Sequence, residues 1–171
     1  MQLNSTQVRK DIAITNFAGK PKLGYKVSGL ISAIESFLGW NCEECAVLIG
    51  CGHFGQALLG YKGFLKSGLN IVATFDNDIT KIGFAFHGRI VESIENLKKR
   101  ITSLNIKFAI LTVPASAAQE ITDILVDAGI KAIWNFTSVC LNVTKDCLVE
   151  DVHLVSSLAV LSSRLKQFLQ K

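Results

Sequence analysis

The chain has 171 residues, of which 49% are hydrophobic, and its 18 basic and 14 acidic residues give a formal net charge of +4. This length and apolar content suit one ordinary domain with a real core, and so mild a charge does not by itself indicate a nucleic-acid-binding protein. Because no apolar stretch approaches the roughly 20 residues that span a bilayer, and the N-terminus MQLNSTQVRKD is polar, we expect a cytoplasmic protein without a membrane anchor or secretory signal.

The first 27 residues carry a local excess of positive charge. NSTQVRKDIAI predicts a short helix in which the Asn4 side chain caps the amide of Gln7 and the Gln7 side chain returns the bond. The glycines and proline of AGKPKLGYKV predict a tight hairpin. Against the single carboxylate of Asp11 stand several basic residues, so we expect this end to approach phosphates. They are Arg9, Lys10, Lys20, Lys22 and Lys26.

From about Ser28 the sequence alternates between helix-like and strand-like segments. SGLISAIESFL, HFGQALLGYKGFLKSG, IENLKKRITSLN and ASAAQEITDILVDAG are helix-like, and CAVLIG, NIVATF, KFAILTV and KAIWNF are strand-like. The strands are short and continuously apolar, as in a parallel sheet buried on both faces. With right-handed crossovers, this succession predicts an α/β fold with a doubly wound parallel sheet over residues 28–152.

The pattern changes after Phe136. TSVCLNVTKDCLVEDV indicates short strands or loop, and HLVSSLAVLSSRLKQFLQ predicts a last helix within residues 153–171. This helix has an apolar stripe at near-heptad spacing, which either packs on its own domain or on another subunit. The stripe consists of Leu154, Leu158, Leu161, Leu165 and Phe168.

The letters GCGHFG, Gly50 to Gly55, follow the strand CAVLI and open a helix. A helix N-terminus offers unpaired amides and a partial positive charge to a diphosphate. Gly50 suits the tight turn, Gly52 leaves no side chain between backbone and phosphate, and Gly55 lets the helix pack closely on the strand. Chance placement of three glycines is the alternative, but the strand before them and the helix after them are what the mechanism requires. The pattern predicts a Rossmann domain that binds a dinucleotide.

The second strand ends in Asp76, about 20 residues past the last glycine, where a carboxylate accepts hydrogen bonds from the adenosine ribose. Its charge would repel a 2′-phosphate, and the next residue is Asn77 rather than arginine. NAD(H) is therefore favoured over NADP(H), although Asp76 could also be an ordinary turn acid before NDIT.

The sequence offers little machinery for using the cofactor in a reaction. A dehydrogenase needs a general acid or base beside the nicotinamide and a substrate pocket. Of the three histidines, His53 lies in the phosphate turn, His87 in a loop between strands, and His153 at the start of the last helix. We expect no catalytic residues and a cofactor that acts as a ligand.

The cysteines form an odd set in a chain without an export signal, which favours reduced thiols. Cys42 and Cys45 have the spacing of half a zinc site, but no second pair completes it, so a helix-to-strand turn is the plainer interpretation and no metal is expected. The others are Cys51, Cys140 and Cys147.

The chain resembles the Rex family of redox-sensing transcriptional repressors, in which a winged-helix DNA-binding domain precedes an NAD(H)-binding Rossmann domain that ends in a swapped helix. The resemblance rests on QVRKDI with GKPKLGY, then GCGHFGQALLGYKGF, FDNDITKIG, AILTVPASAAQEITDILVDAGIKAIWNF and VEDVHL, in family order from about Ser5 to Leu154. It implies a partial winged-helix segment over 1–27, a Rossmann domain over 28–152 and a dimerisation helix over 153–171.

The resemblance also implies roles for single residues. The cofactor would be held by the glycine turn, the segment after the second strand, the loop after AIL and the residues at the nicotinamide end. These are Gly50, Cys51, Gly52, His53, Phe54, Gly55, Asp76, Asn77, Asp78, Lys81, Thr112, Val113, Pro114, Asn135 and Phe136. Operator DNA with an inverted repeat would be contacted by Gln7, Arg9, Lys10, Lys20 and Lys22. The switch and dimer interface would involve Tyr61, His153, Leu154, Leu158, Leu161 and Leu165.

The family mechanism implied is a population shift. NADH favours a homodimer whose recognition helices cannot match successive operator half-sites, and the NADH to NAD⁺ ratio thereby sets repression. Two features depart from the family's pattern. The sequence begins almost at the recognition helix, so we expect DNA binding by this chain alone to be impaired. His153 stands where the family commonly has aspartate, so we expect a weaker or pH-sensitive switch.

Two other functions remain open. A Rossmann module for CoA or another adenine nucleotide shares this kind of glycine turn, but Asp76 would face the 3′-phosphate of CoA at a cost. A small oxidoreductase is the other, and hydride transfer to carbonyls would reveal it.

Overall fold

The computed structural model describes residues 4–20 and 23–170. The helices are α1 (Ser5–Ile14), α2 (Val27–Phe37), α3 (His53–Leu59), α4 (Gly63–Lys66), α5 (Leu97–Leu104), α6 (Ala115–Asp127) and α7 (Leu154–Leu169), and Ile94–Asn96 form a 3-10 turn. The strands are β1 (Glu44–Ile49), β2 (Leu69–Asp76), β3 (Ala85–Phe86), β4 (Arg89–Ser93), β5 (Phe108–Leu111), β6 (Ala132–Asn135) and β7 (Leu148–Asp151).

The strands form one sheet in the order β3-β4-β2-β1-β5-β6-β7. The pairs β2–β4, β1–β5, β5–β6 and β6–β7 are parallel, and β3 pairs antiparallel with β4 at the edge. Without β3 the order is that of a doubly wound Rossmann sheet, whose switch point lies between β1 and β5. The predicted fold class is confirmed. The turn between β3 and β4 contains His87, which was predicted to lie in a loop between strands, but the ranges of the two strands were not predicted, because β4 is only partly buried and lacks a continuous apolar run.

The chain divides into two compact units, Met1–Glu44 with Lys62–Asn70, and Cys45–Tyr61 with Ile71–Lys171. This division does not follow the boundaries 1–27, 28–152 and 153–171, which stay predictions.

The first unit contains α1 and the predicted hairpin. Lys20 and Gly24 form an antiparallel bridge, with their amides and carbonyls 2.8 and 3.0 Å apart, so the tight hairpin is confirmed. The predicted reciprocal cap of α1 is wrong. Asn4 Oδ1 accepts from the amide of Thr6 at 2.9 Å, and Gln7 Nε2 donates to Asp11 one turn further on at 2.8 Å. The Asn4 side chain reaches only two residues ahead, and Asp11 gives Gln7 a charged acceptor.

The core of the second unit lies between the sheet and helices α5 and α6. Strand residues such as Val47, Phe75 and Ala109 pack with Ile101 of α5 and Leu125 of α6, and all are almost fully buried. This core fixes the carboxyl ends of β1, β2 and β5, where a doubly wound fold binds its ligands. Within residues 4–20 and 23–170, no helix has the length and apolarity needed to cross a membrane.

Candidate functional site

The glycine turn has the backbone geometry predicted from its sequence. Gly50 has φ +96°, and a Cβ there would lie 2.7 Å from the carbonyl oxygen of Thr112. A Cβ at Gly55 would overlap the carbonyl oxygen of Gly50, so α3 approaches β1 as closely as glycine permits. At Gly52, the N-cap residue of α3, a Cβ would meet nothing within 4 Å. The turn is therefore tight on two sides and open at the helix N-terminus.

Thr112, which directly follows β5, holds this turn in place by hydrogen bonds. Its hydroxyl lies 2.9 Å from the carbonyl oxygen of Ile49 and 2.7 Å from that of Gly50, and it donates to them. The amide of Thr112 also donates to the Ile49 carbonyl at 2.9 Å. These hydrogen bonds occupy the carbonyl groups on the β5 side of the turn. On the opposite side, the amides at the start of α3 remain available to donate to a ligand.

Asp76 ends β2 beside the turn and is only 6% exposed. Its Oδ2 accepts from the amide of Cys51 at 2.8 Å and from Lys81 Nζ at 3.1 Å, while Oδ1 accepts from the amide of Asp78 at 2.9 Å. Lys81 Nζ also lies 3.3 Å from Asp78 Oδ2. Asp76 is thus an oriented, charged acceptor rather than an ordinary surface turn acid.

Three pKa values at this corner depart from their ordinary range. Hydrogen bonds from Thr80 lower the pKa of the Asp78 carboxyl. Burial acts to lower the pKa of Lys81, but its bonds to Asp76 and Asp78 outweigh this and raise it. Burial, followed by the charge of Asp76, raises the pKa of the Cys51 thiol. At neutral pH the Asp78 carboxylate and the Lys81 ammonium are therefore charged, and Cys51 is a neutral thiol.

A cavity of about 620 Å³ opens at the carboxyl ends of β1, β2 and β5. Nine of the predicted cofactor residues line it: Gly50, Gly52, Asp76, Asn77, Asp78, Lys81, Thr112, Val113 and Pro114. Five residues not predicted for the site complete the wall: Ile49, Ile94, Ala117, Glu120 and Ile121. Three of these lie on the first two turns of α6, and the sequence carries no distinctive signal for them, because their i, i+3, i+4 spacing is that of any amphipathic helix.

The predicted nicotinamide end lies apart from this cavity. The ring of Phe54, in the first turn of α3, is 5.1 Å from the ring of Phe136, which lies 4.7 Å from the ring of Trp134. Asn135 is fully buried, and its side-chain amide bonds to Asp151, Val139 and Thr137. Cys51, His53 and Gly55 belong to the turn but do not line the cavity. Contacts of these residues with a cofactor stay predictions.

The remaining predicted residues lie elsewhere. Arg9, Lys10 and Lys20 are exposed in the first unit, and Lys22 lies outside the described residues. Tyr61 is exposed after α3, and His153 is exposed directly before α7. The side chain of Leu154 lies outside the description, whereas the rest of the α7 stripe is exposed: Leu158, Leu161, Leu165 and Phe168.

The cysteines are all reduced thiols, and Cys42 and Cys45 are exposed. In the part of the chain that the structure describes, no group of three or more His, Cys, Asp or Glu side chains could hold a metal ion.

The strand order, the glycine turn and the buried acid define a Rossmann domain. The CoA binding domain family matches residues 41–139. The redox-sensing transcriptional repressor Rex of Treponema denticola is 47% identical over 161 residues, which cover 94% of this chain and 77% of that protein. The chain belongs to the Rex family, and its central part to the CoA binding domain family.

Solved structures agree with this assignment. RSP, a Rex-family repressor, in complex with β-NADH is 36% identical with a TM-score of 0.89 over 98% of this chain and 78% of that one. RSP in complex with β-NAD⁺ and operator DNA is 34% identical with a TM-score of 0.91 over 98% of this chain and 77% of that one.

Proposed function

We propose that this chain is an NAD(H)-sensing transcriptional regulator of the Rex type. The observation that carries the proposal is one cavity lined both by Gly52, the N-cap residue of α3, and by Asp76, whose buried carboxylate is oriented by the amide of Cys51. A diphosphate suits the amides and a ribose diol suits the carboxylate, which together describe the adenosine diphosphate half of NAD. RSP, a Rex-family repressor, forms complexes with NADH and with NAD⁺ and operator DNA.

The cofactor is proposed to lie across the switch point. Its adenosine would occupy the cavity between the β2 end and the first turns of α6, with Glu120 near the base. Its nicotinamide would extend toward Phe54 and Phe136, on the β6 side of the glycine turn. This placement follows from the rule that dinucleotides cross the crevice at the carboxyl ends of the strands.

The response to the cofactor is proposed to pass through a homodimer. α7 exposes a stripe of large apolar side chains, with Leu158 61% and Leu161 64% exposed, and a second copy would cover it. NADH would favour a dimer whose α1 helices do not fit the operator, and only its difference in affinity between the two states drives the change. In α1, Gln7 would exchange its bond to Asp11 for a base edge, and Arg9 and Lys10 would contact phosphates.

A regulatory rather than enzymatic role is part of the proposal, as is a cytoplasmic location. Relatives carry the name of a transcriptional repressor.

A CoA-binding module is the second candidate, because residues 41–139 match that family. The described acids lining the cavity are Asp76, Asp78 and Glu120, and Lys81 is the one base among the same lining residues. CoA would add a ribose phosphate to this acidic corner, which Coulomb repulsion disfavours.

Titration calorimetry with NADH, NAD⁺, NADPH and CoA separates the candidates. We expect NADH to bind at least about tenfold more tightly than NADPH or CoA, a difference of roughly 1.4 kcal/mol. CoA binding more tightly than NADH would reverse the assignment. Absence of binding by all four ligands would remove both candidates.

A further inference from the structure

We propose that Asn135 is a positioning residue that couples the glycine turn to the segment entering α7, rather than a ligand of the cofactor. The inference rests on the proposed function and adds to it the route by which occupancy of the site reaches the interface helix. The route consists of strand ends in one register row and the side-chain bonds that join them.

The last residues of four strands lie side by side. Ile49 of β1 pairs with Leu111 of β5, Leu111 pairs with Asn135 of β6, and Asn135 pairs with Asp151 of β7. The glycine turn begins directly after Ile49, and α7 begins three residues after Asp151. One row across the sheet therefore joins the proposed diphosphate site to the start of the interface helix.

Side chains reinforce both ends of this row. On the cofactor side, the Thr112 hydroxyl is bonded to the carbonyls of Ile49 and Gly50. On the far side, Asn135 Nδ2 donates to Asp151 Oδ1 at 2.7 Å. The backbone continues the link, because the amide of Val152 donates to the Asn135 carbonyl at 2.8 Å.

Asn135 has no hydrogen-bonding capacity left for a cofactor. Its Nδ2 also donates to the Val139 carbonyl at 2.9 Å, and its Oδ1 accepts from the amide and hydroxyl of Thr137 at 2.9 and 2.7 Å. Since the residue is fully buried, giving up any of these bonds would leave a polar group unsatisfied. The same bonds hold the turn after Phe136, whose ring contacts Phe54 in the first turn of α3.

If a ligand moves α3 or the glycine turn, the movement can therefore reach Asn135 through two connections. One passes from Phe54 through Phe136, and the other from Thr112 through β5 and β6. Both arrive at a side chain whose remaining strong contact is Asp151, two residues before His153. Coupling between sites needs such a connected element with different arrangements in the two states.

Hydrogen–deuterium exchange of the peptide covering residues 148–158, with and without saturating NADH, tests the proposal. In the wild type we expect NADH to change exchange there by about fivefold or more. Asp151→Leu removes the acceptor, so the change should disappear while the NADH dissociation constant stays within about tenfold. Asp151→Asn keeps a carbonyl acceptor for Asn135 and should restore the change.

Glu150→Leu is the matched control, because Glu150 is exposed on the opposite face of the same strand. It should respond to NADH as the wild type does. A response that survives in Asp151→Leu, or its absence in wild type that binds NADH, would overturn the inference. Wild type that does not bind NADH at all would instead contradict the proposed function, so the two failures are distinguishable.

Discussion

The carboxylate of Asp76 accepts a hydrogen bond from the backbone amide of Cys51 at 2.8 Å, so the acid proposed to bind the ribose also holds the glycine turn. Lys81 and the amide of Asp78 fix the same carboxylate. The two halves of the proposed adenosine diphosphate site are thus joined before any ligand arrives. Such preorganisation reduces the ordering cost of binding.

This relationship predicts that Asp76→Ala weakens NADH binding by about 1 to 3 kcal/mol, because ribose hydrogen bonds to a charged acceptor are lost. Titration calorimetry measures it. Asp127→Ala is a suitable control, since Asp127 pairs with Lys98 on the exposed surface of α5 and α6. Equal affinity in Asp76→Ala and wild type would remove the ribose assignment.

Alanine substitutions at two glycines of the turn should have different effects on NADH binding and on stability. Gly52→Ala adds a methyl group in open space at φ −75°, so the melting temperature should hold while NADH binding drops about tenfold or more, because the methyl occupies the diphosphate position. Gly50→Ala places a Cβ against Thr112 at φ +96° and should cost about 1 to 3 kcal/mol of stability. Thermal denaturation and calorimetry together separate the two; full NADH affinity in Gly52→Ala would place the diphosphate elsewhere.

Charged substitutions in the exposed stripe of α7 should disrupt the proposed dimer. Leu158→Asp with Leu161→Asp should convert a dimer into a monomer, because two charges would enter the apolar interface. Ser156→Asp with Ser163→Asp carries the same charges away from the stripe and should remain dimeric. Light scattering after gel filtration reports the mass, and a dimeric leucine variant would show that the stripe is not the interface.

Low pH should reduce the folding stability of the protein by protonating Asp78. Its folded pKa lies below the ordinary value of 3.8, so its contribution to stability is full above that pH and is lost as pH falls through the folded pKa. Asp78→Asn should therefore melt below wild type at pH 7, and the gap should close as the pH drops below 3.8. A gap that stays constant down to pH 2.5 would show that ionisation of Asp78 is not its cause.

The doubly wound sheet and the glycine turn could be predicted because each depends on local sequence. Apolar runs mark the buried strands, and the constraints at Gly50 and Gly55 arise from backbone contact that only glycine tolerates. Asp76 was predictable from its distance along the chain. Its bond to Cys51 was not, because it joins residues 25 positions apart.

The far side of the site could not be predicted in the same way. The family resemblance places Asn135 at the nicotinamide end, which stays a prediction, but gave no sign that its side chain bonds to Asp151, Val139 and Thr137. Whether a buried amide faces a ligand or a neighbouring strand depends on the register of β6 against β7, which leaves no local pattern. The wall of α6 escaped prediction because Glu120 and Ile121 continue an ordinary amphipathic helix.

A crystal structure of this chain with NADH would show where the cofactor binds. We expect the diphosphate within hydrogen-bonding distance of the amides that open α3, and the adenosine ribose hydroxyls on the carboxylate of Asp76. A cofactor bound at any other place, with this corner filled only by solvent, would contradict this expectation.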